Sequence, residues 1–350
     1  MTLSADSRGP LGVLGILDAC RALSCESRCH WTFDGQGRIR GYYGHRGGAG
    51  AAATGSLRVP RQEARRALLA RYQHLGGRVS WGKRFLRHTE DENCVTAYFE
   101  DGSRCVAEVL VGADGHRSAV RPEELREVGI SLVVGISSFR HPLLDRRGFY
   151  VVDGSYRLFT MPFSSDLTMW QLSGRRLGGL DDARDVVRNW VSVPVAAGLV
   201  DATKEEEVWA SPLFDRDPVF DPRTASRVTV LGDAAHPMTC FKGQGANQAL
   251  ADAVTLGRCL SQKLTPPSLR RFEREMFQRA APRVRASRDA ALFLHSPAVL
   301  DLYDFNMVKD PDQRRRLVHR LDENGFSATS PDDPDDLEAT VRDLIITTVL

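Results

Sequence analysis

The chain has 350 residues, 42% of them hydrophobic and 26% charged, with a formal net charge of +2. That length suffices for two domains and a sizeable core, and the near-balanced charge argues against a dedicated nucleic-acid binder, in which a basic face dominates. The cysteines at 20, 25, 29, 94, 105, 240 and 259 are odd in number and irregular in spacing, a poor disulfide framework. Cys20, Cys25, Cys29 and His30 match no common zinc spacing and no second ligand pair follows, so no metal is expected. The apolar run from Leu11 to Ala19 is broken by Asp18 and lacks signal-peptide flanks; it is too short to span a bilayer, and the expectation is a cytoplasmic protein.

In chain order, residues 1 to 20 read as a Gly-rich start and a short helix. Gly9, Gly12 and Gly15 follow no strand, which argues against a phosphate loop there. Trp31 to Tyr43 reads as a hairpin about the Asp34-Gly35 turn, and residues 44 to 55 as a Gly/Ala-rich loop. Pro60 to Leu75 reads as a helix: Ala64, Ala67, Leu68 and Tyr72 recur at helical spacing, Pro60 suits its start, and Gly76-Gly77 ends it. RVSW, VTAYFE and CVAEVLV, between 78 and 111, read as strands, the last apolar on both faces as central parallel strands are.

From Ser131 to Ser173 four β-like runs separated by turn residues predict an antiparallel sheet. An amphipathic helix is expected over 181–192, a strand over 227–231, a helix from Ala246 to about Lys263, and a long helix over 267–295. The tail beyond 305 is polar, with an SPDDPDD spacer expected to pack weakly and a short helix at 336–346.

The chemistry concentrates in RVTVLGDAAHPMTCFKGQGANQAL, from Arg227 to Leu250. An apolar strand runs into Gly232-Asp233, at the carboxyl end where α/β sheets bind ligands. The Asp233 carboxylate there can accept bonds from sugar-alcohol hydroxyls, or it can simply cap its turn. Gly243 and Gly245 permit close backbone approach, and the helix from Ala246 points its N-terminal N–H groups at whatever lies there. Asn247 can donate or accept at that edge. A second strand, VLVGADGHRSAVR, ends the same way at Asp114-Gly115.

GDAAHPM followed by FKGQGANQAL and Asp252-Ala253 resembles a flavin-contact motif of the FAD-dependent aromatic-hydroxylase-type (group A) flavoprotein monooxygenases. ADGHRSAVR resembles that family's Asp-Gly motif, and VPRQEARRALL its Arg-bearing helix. The resemblance covers roughly residues 10 to 300, most weakly at the front. It implies an α/β fold: an incomplete FAD-binding Rossmann-like domain with an inserted antiparallel β-sheet substrate domain and C-terminal helices. The implied divisions are 1–130, the first part of the FAD-binding domain; 131–210, the substrate-domain sheet; 211–300, the second part of the FAD-binding domain with the long helix; and 301–350, a polar tail.

Carried over residue by residue, the resemblance implies that Asp233, with Gly232, binds the flavin ribityl hydroxyls. Gly243, Gly245, Ala246 and Asn247 would lie along the pyrimidine edge of the ring, and Pro237, the residue nearest the chemistry, beside its reactive carbon. Asp114 would organise the cofactor site and Arg61 would approach the phosphates. His236 is expected to hold the loop through a ring hydrogen bond, and Cys240 to be a small buried residue where the family often has proline. The implied activity is oxidoreduction: NAD(P)H as transient reductant, FAD as cofactor, and one oxygen atom of O2 passed to a small organic substrate, aromatic ones included. The family's opening strand-GxGxxG-helix unit has no counterpart here. The expectations left open are a shortened sequence, a chain that holds FAD with a partner's help, or a catalytically inactive remnant acting through protein contacts.

Overall fold

The computed structural model describes residues 1–44, 56–218, 226–262, 265–306, 308–329 and 334–349. The chain divides into two compact units, one of residues 1–24, 59–128 and 214–291, the other of 25–58, 129–213 and 292–350.

In the first unit, two short parallel strands, Leu110–Gly112 and Val228–Val230, pair in the register Val228 to Leu110 and Val230 to Gly112. Because they are parallel and in step, both chains leave the pair at the same end, carrying the 113–121 loop and the 232–247 loop to one edge. Three helices complete the frame: Arg61–His74, Gly245–Gln262 and Pro266–Leu294. Val230, Ala234, Ala235, Leu256, Phe272 and Met276 are buried together where the strand pair meets the last two of these helices. Phe272 is wholly inside, a burial worth roughly 1.5–3 kcal/mol. The strand expected at 105–111 is interrupted: Arg104–Ala107 belongs to a three-stranded antiparallel sheet with Val95–Phe99 and Phe85–Glu90. Residues 78–81, read as a strand, form none; Gly76 and Gly82, both at positive φ, turn the chain on either side of them.

The second unit is built on an eight-stranded sheet in the order Thr203–Asp215, Arg126–Ser137, Thr168–Gly174, Arg157–Pro162, Arg147–Val152, Cys29–Asp34, Ile39–Gly44, Asp304–Phe305. The strands from Arg126 to Gly174 alternate in direction as the pattern predicts, but Arg147–Val152 runs parallel to Cys29–Asp34 and Asp304–Phe305 parallel to Ile39–Gly44. The hairpin predicted at 31–43 forms, and it extends this sheet rather than lying with residues 1–24. Period-two alternation puts Trp31, Phe33, Phe149, Leu158 and Trp170 on the face that builds the core with Leu180, Val187 and Leu199. Phe149 and Trp170 are wholly buried there.

The helix Pro334–Val349 is anchored by Arg147, whose Nε donates to Glu338 at 2.6 Å and which also binds Asp335. Residues 45–55 of the expected 44–55 loop and most of the acidic spacer lie outside the described residues. Among the described residues no helix is long and apolar enough to cross a membrane, and no cluster of His, Cys, Asp and Glu could hold a metal. His30, weighed as a ligand, is a buried ring stacked on Phe159, its pKa pushed down to about 3 by burial and by the Arg58 guanidinium.

Candidate active site

The two strand-end loops of the first unit face a cavity of about 450 Å³ lined by Arg61, Arg65, Gly115, Gly232, Asp233, Gly245 and Ala246, with Leu3, Leu11, Leu68, Leu231 and Leu250 as apolar walls. This is the concave, largely apolar setting with few convergent polar groups that small-molecule sites share.

Asp233 sits in a single helical turn, Gly232–Ala234, directly after its strand. Gly232 has φ +60, and a Cβ there would stand 3.2 Å from the Cβ of Ala249; glycine is what lets the turn pack against the helix Gly245–Gln262. The Asp233 carboxylate is exposed and, among the described residues, has no hydrogen-bond partner. A Cβ on Gly245 would lie 3.6 Å from Asp233 Oδ1, so the absence of a side chain keeps the slot between carboxylate and helix end open.

The turn is held from behind. Asp252, wholly buried, accepts from the Gly232 N–H at 2.9 Å and from His236 Nε2 at 2.7 Å, and its other oxygen pairs with Arg279. Since a carboxylate only accepts, the proton of this bond sits on His236 Nε2. His236 is therefore a structural ring, wholly buried. Arg279 is steadied in turn by Gln248, whose Oε1 accepts from its Nε at 3.1 Å.

Asp114 behaves otherwise. Its Oδ2 accepts from the N–H groups of Ala119 at 2.7 Å and Val120 at 3.2 Å. Burial alone would raise this carboxyl, but the hydrogen bonds from Ser118, Ala119 and Val120 hold it below its ordinary value. It organises its own loop.

The structure brings Asp233, Gly232, Gly245, Ala246 and Arg61 to one cavity wall. Gly243, at φ +60, and the buried Pro237 lie on the connecting loop. Two expectations change. The Asn247 amide is committed inside the chain: its Oδ1 accepts from the Ser4 N–H at 3.0 Å and from the Ser7 hydroxyl, and its Nδ2 donates to the Gly243 carbonyl at 2.6 Å. What it offers a ligand is its backbone N–H, in the helix's first turn, which has no intrahelical acceptor. Cys240 is exposed rather than buried, because its short helical turn, Cys240–Lys242, sits on the surface of the loop.

Arg65 was missed. It stands one helical turn from Arg61 on the same face, and both line the cavity; the i,i+4 spacing carried the signal. Asp252 and His236 meet across 16 residues, a pairing that no local pattern announces.

Asp233, Arg61, Arg65 and the open helix terminus fit a ligand with a polyhydroxy chain, a phosphate and an electron-accepting ring edge. The glycine-lined slot supplies the room, and two guanidiniums supply the positive charge a phosphate requires. A family model described as FAD binding domain matches residues 10–134 and 192–286. The 3-amino-4-hydroxybenzoate 2-monooxygenase of Streptomyces cremeus is 30% identical over 69% of this chain and 62% of its own length. The 3-hydroxybenzoate 6-hydroxylase of Polaromonas naphthalenivorans is 29% identical over 62% of this chain and 58% of its own. The chain thus spans about three fifths of these curated relatives. A Klebsiella pneumoniae protein, HpxO, solved with FAD and uric acid, superposes with a TM-score of 0.75 at 22% identity, covering 99% of this chain and 87% of that one.

Proposed function

Because the chain belongs to the FAD-binding-domain family of aromatic-hydroxylase-type monooxygenases, we propose that it holds FAD in the first unit and hydroxylates a small organic, aromatic substrate with NAD(P)H and O2. Substrate, reductant, O2 and a proton yield the hydroxylated product, NAD(P)+ and water, so two electrons from the nicotinamide and two from the substrate reduce one O2. Bound FAD supplies the electron transfer and the oxygen activation.

The chain's own residues bind and orient. Asp233 would accept hydrogen bonds from the ribityl hydroxyls, and Arg61 with Arg65 would hold phosphate oxygens. The first-turn N–H groups of Gly245, Ala246 and Asn247 would face the ring edge, where a helix N-terminus stabilises negative charge. Pro237, buried on the connecting loop, would present no proton to the ring's reacting carbon, since proline lacks an N–H. Leu231 and Leu250, on the cavity wall, exclude water from one side.

The observation that carries this reading is the exposed Asp233 carboxylate, without a partner among the described residues, facing an open helix terminus across a glycine-lined slot. The substrates in the relatives' names, 3-hydroxybenzoate and 3-amino-4-hydroxybenzoate, support an aromatic acid as the first to try. The test is the visible absorption of the purified chain before and after incubation with FAD and desalting. A retained flavin band, followed by substrate-dependent NAD(P)H oxidation and O2 uptake, is expected. A chain that stays colourless at saturating FAD refutes the proposal and leaves a remnant acting through protein contacts.

A further inference from the structure

Arg216 lies in none of the three motifs, yet it joins two of them. Its side chain is 6% exposed and its donors fan out over carbonyl oxygens. Nε donates to Glu124 at 3.2 Å, and Nη2 to Glu123 at 2.8 Å and His116 at 3.3 Å, all in the loop that follows Asp114. Nη1 donates to the carbonyl of Ala234 at 3.2 Å, and the backbone N–H of Arg216 donates to the carbonyl of Pro237 at 3.3 Å. Those last two acceptors belong to the turn that carries Asp233.

The segment bearing Arg216 is itself pinned. Asp215, wholly buried, accepts from Arg126 Nε at 3.1 Å and Arg288 Nε at 2.6 Å, while Asp217 pairs with Arg288 at 2.9 Å and with Arg126. The guanidinium therefore works from a fixed base. Only a planar fork with five N–H donors can reach four carbonyls in two loops; a lysine ammonium cannot. Burial lowers the pKa of this guanidinium, and Glu123 opposes that shift from 3.6 Å. A buried cation whose hydrogen bonds all go to backbone carbonyls fixes the spacing of the segments that present them.

We propose that Arg216 is a positioning residue that ties the 114–124 loop to the 232–237 turn and so sets the separation of the groups that receive the flavin. The inference rests on the proposed function for its cofactor, but the tie itself does not.

The test compares the full chain with Arg216→Gln and Arg216→Lys. Without FAD, hydrogen exchange should rise at least tenfold in peptides spanning 114–124 and 232–237 together, in both variants. Exchange in the helix Pro266–Leu294 and in the eight-stranded sheet should stay at wild-type rates. The dissociation constant for FAD, from flavin fluorescence quenching, should rise at least tenfold, with loss of vibronic structure in the bound flavin's visible band. Loosening of only one loop, of neither, or of the whole chain in both variants overturns the tie. Should Arg216→Gln fail to fold, the charge-retaining Arg216→Lys alone decides. Both loops loosened with wild-type FAD affinity overturns the positioning role. Wild-type protein that binds no FAD refutes the proposed function instead, and the exchange data still decide the tie.

Discussion

Two strands of the first unit end alike in sequence, each running from an apolar stretch into a glycine and an aspartate, and they end differently in chemistry. Asp114 turns back on its own loop and captures the N–H groups of Ala119 and Val120. Asp233 captures nothing within the described chain: the N–H groups it could have capped, those of Ala235 and His236, are already bonded to the Gly232 carbonyl. A strand-end carboxylate is thus left for a ligand when the turn's own backbone takes the N–H groups it could have capped and an acid from a distant helix, Asp252, holds the turn from behind. The identical local signature gives a loop organiser in one place and a ligand group in the other.

The sharpest way to break that contrast is to remove the distant acid. Asp252→Ala deletes the partner of Gly232, His236 and Arg279 at once and leaves buried donors without acceptors. Loss of one side of such a buried pair costs roughly 3–5 kcal/mol. A thermal or urea melt of the variant should show that loss, and a fall of less than about 1 kcal/mol would mean that Asp252 does not hold the turn. With Gly232 and His236 released, the turn that carries Asp233 loses its support, and FAD affinity should fall with it.

How much of this was legible before the structure follows from the range of each interaction. The helix Arg61–His74, the hairpin at 29–44 and the helix Gly245–Gln262 rest on periodicity and turn chemistry within a few residues, and they form where that pattern puts them. The loop between Asp233 and Gly245 was readable too, because glycine spacing is a local signal. The engagement of Asn247 by Ser4 and Ser7 spans about 240 residues, and the tie made by Arg216 spans up to 100. Nothing in the surrounding sequence marks either one. The strand misread at 78–81 failed for the opposite reason. A short β-branched and aromatic run has no intrinsic need to be a strand, and without a neighbouring edge it stays a loop.

A second experiment addresses Asp233 alone. Asp233→Ala removes an exposed side chain, so the melting behaviour of the protein without FAD should stay within about 0.5 kcal/mol of wild type. FAD affinity should fall, because hydrogen bonds to a charged acceptor are worth about 1.5–3 kcal/mol, equivalent to a roughly ten- to hundred-fold weaker dissociation constant. Fluorescence titration of flavin measures it. Equal affinity in the variant would place the ribityl chain elsewhere and collapse the contrast between the two acids.

The smallest expected effect belongs to Asp114 and is read through pH. Its folded-state pKa lies below the ordinary carboxylate value, so its contribution to stability is present above the unfolded pKa, about 4, and is lost as pH falls through the lower folded value. The amides of Ala119 and Val120 should therefore stay protected from hydrogen exchange at neutral pH and lose protection in acid, below about pH 4. Asp114→Asn, which keeps the shape but carries no charge, should weaken that protection at neutral pH and abolish its acid dependence. The Gly232 amide, capped by Asp252 rather than by its own neighbour, should be indifferent to the substitution. If Gly232 loosens as well, the two loops are coupled more tightly than their separate caps imply, and the route of that coupling is the guanidinium of Arg216, which touches both.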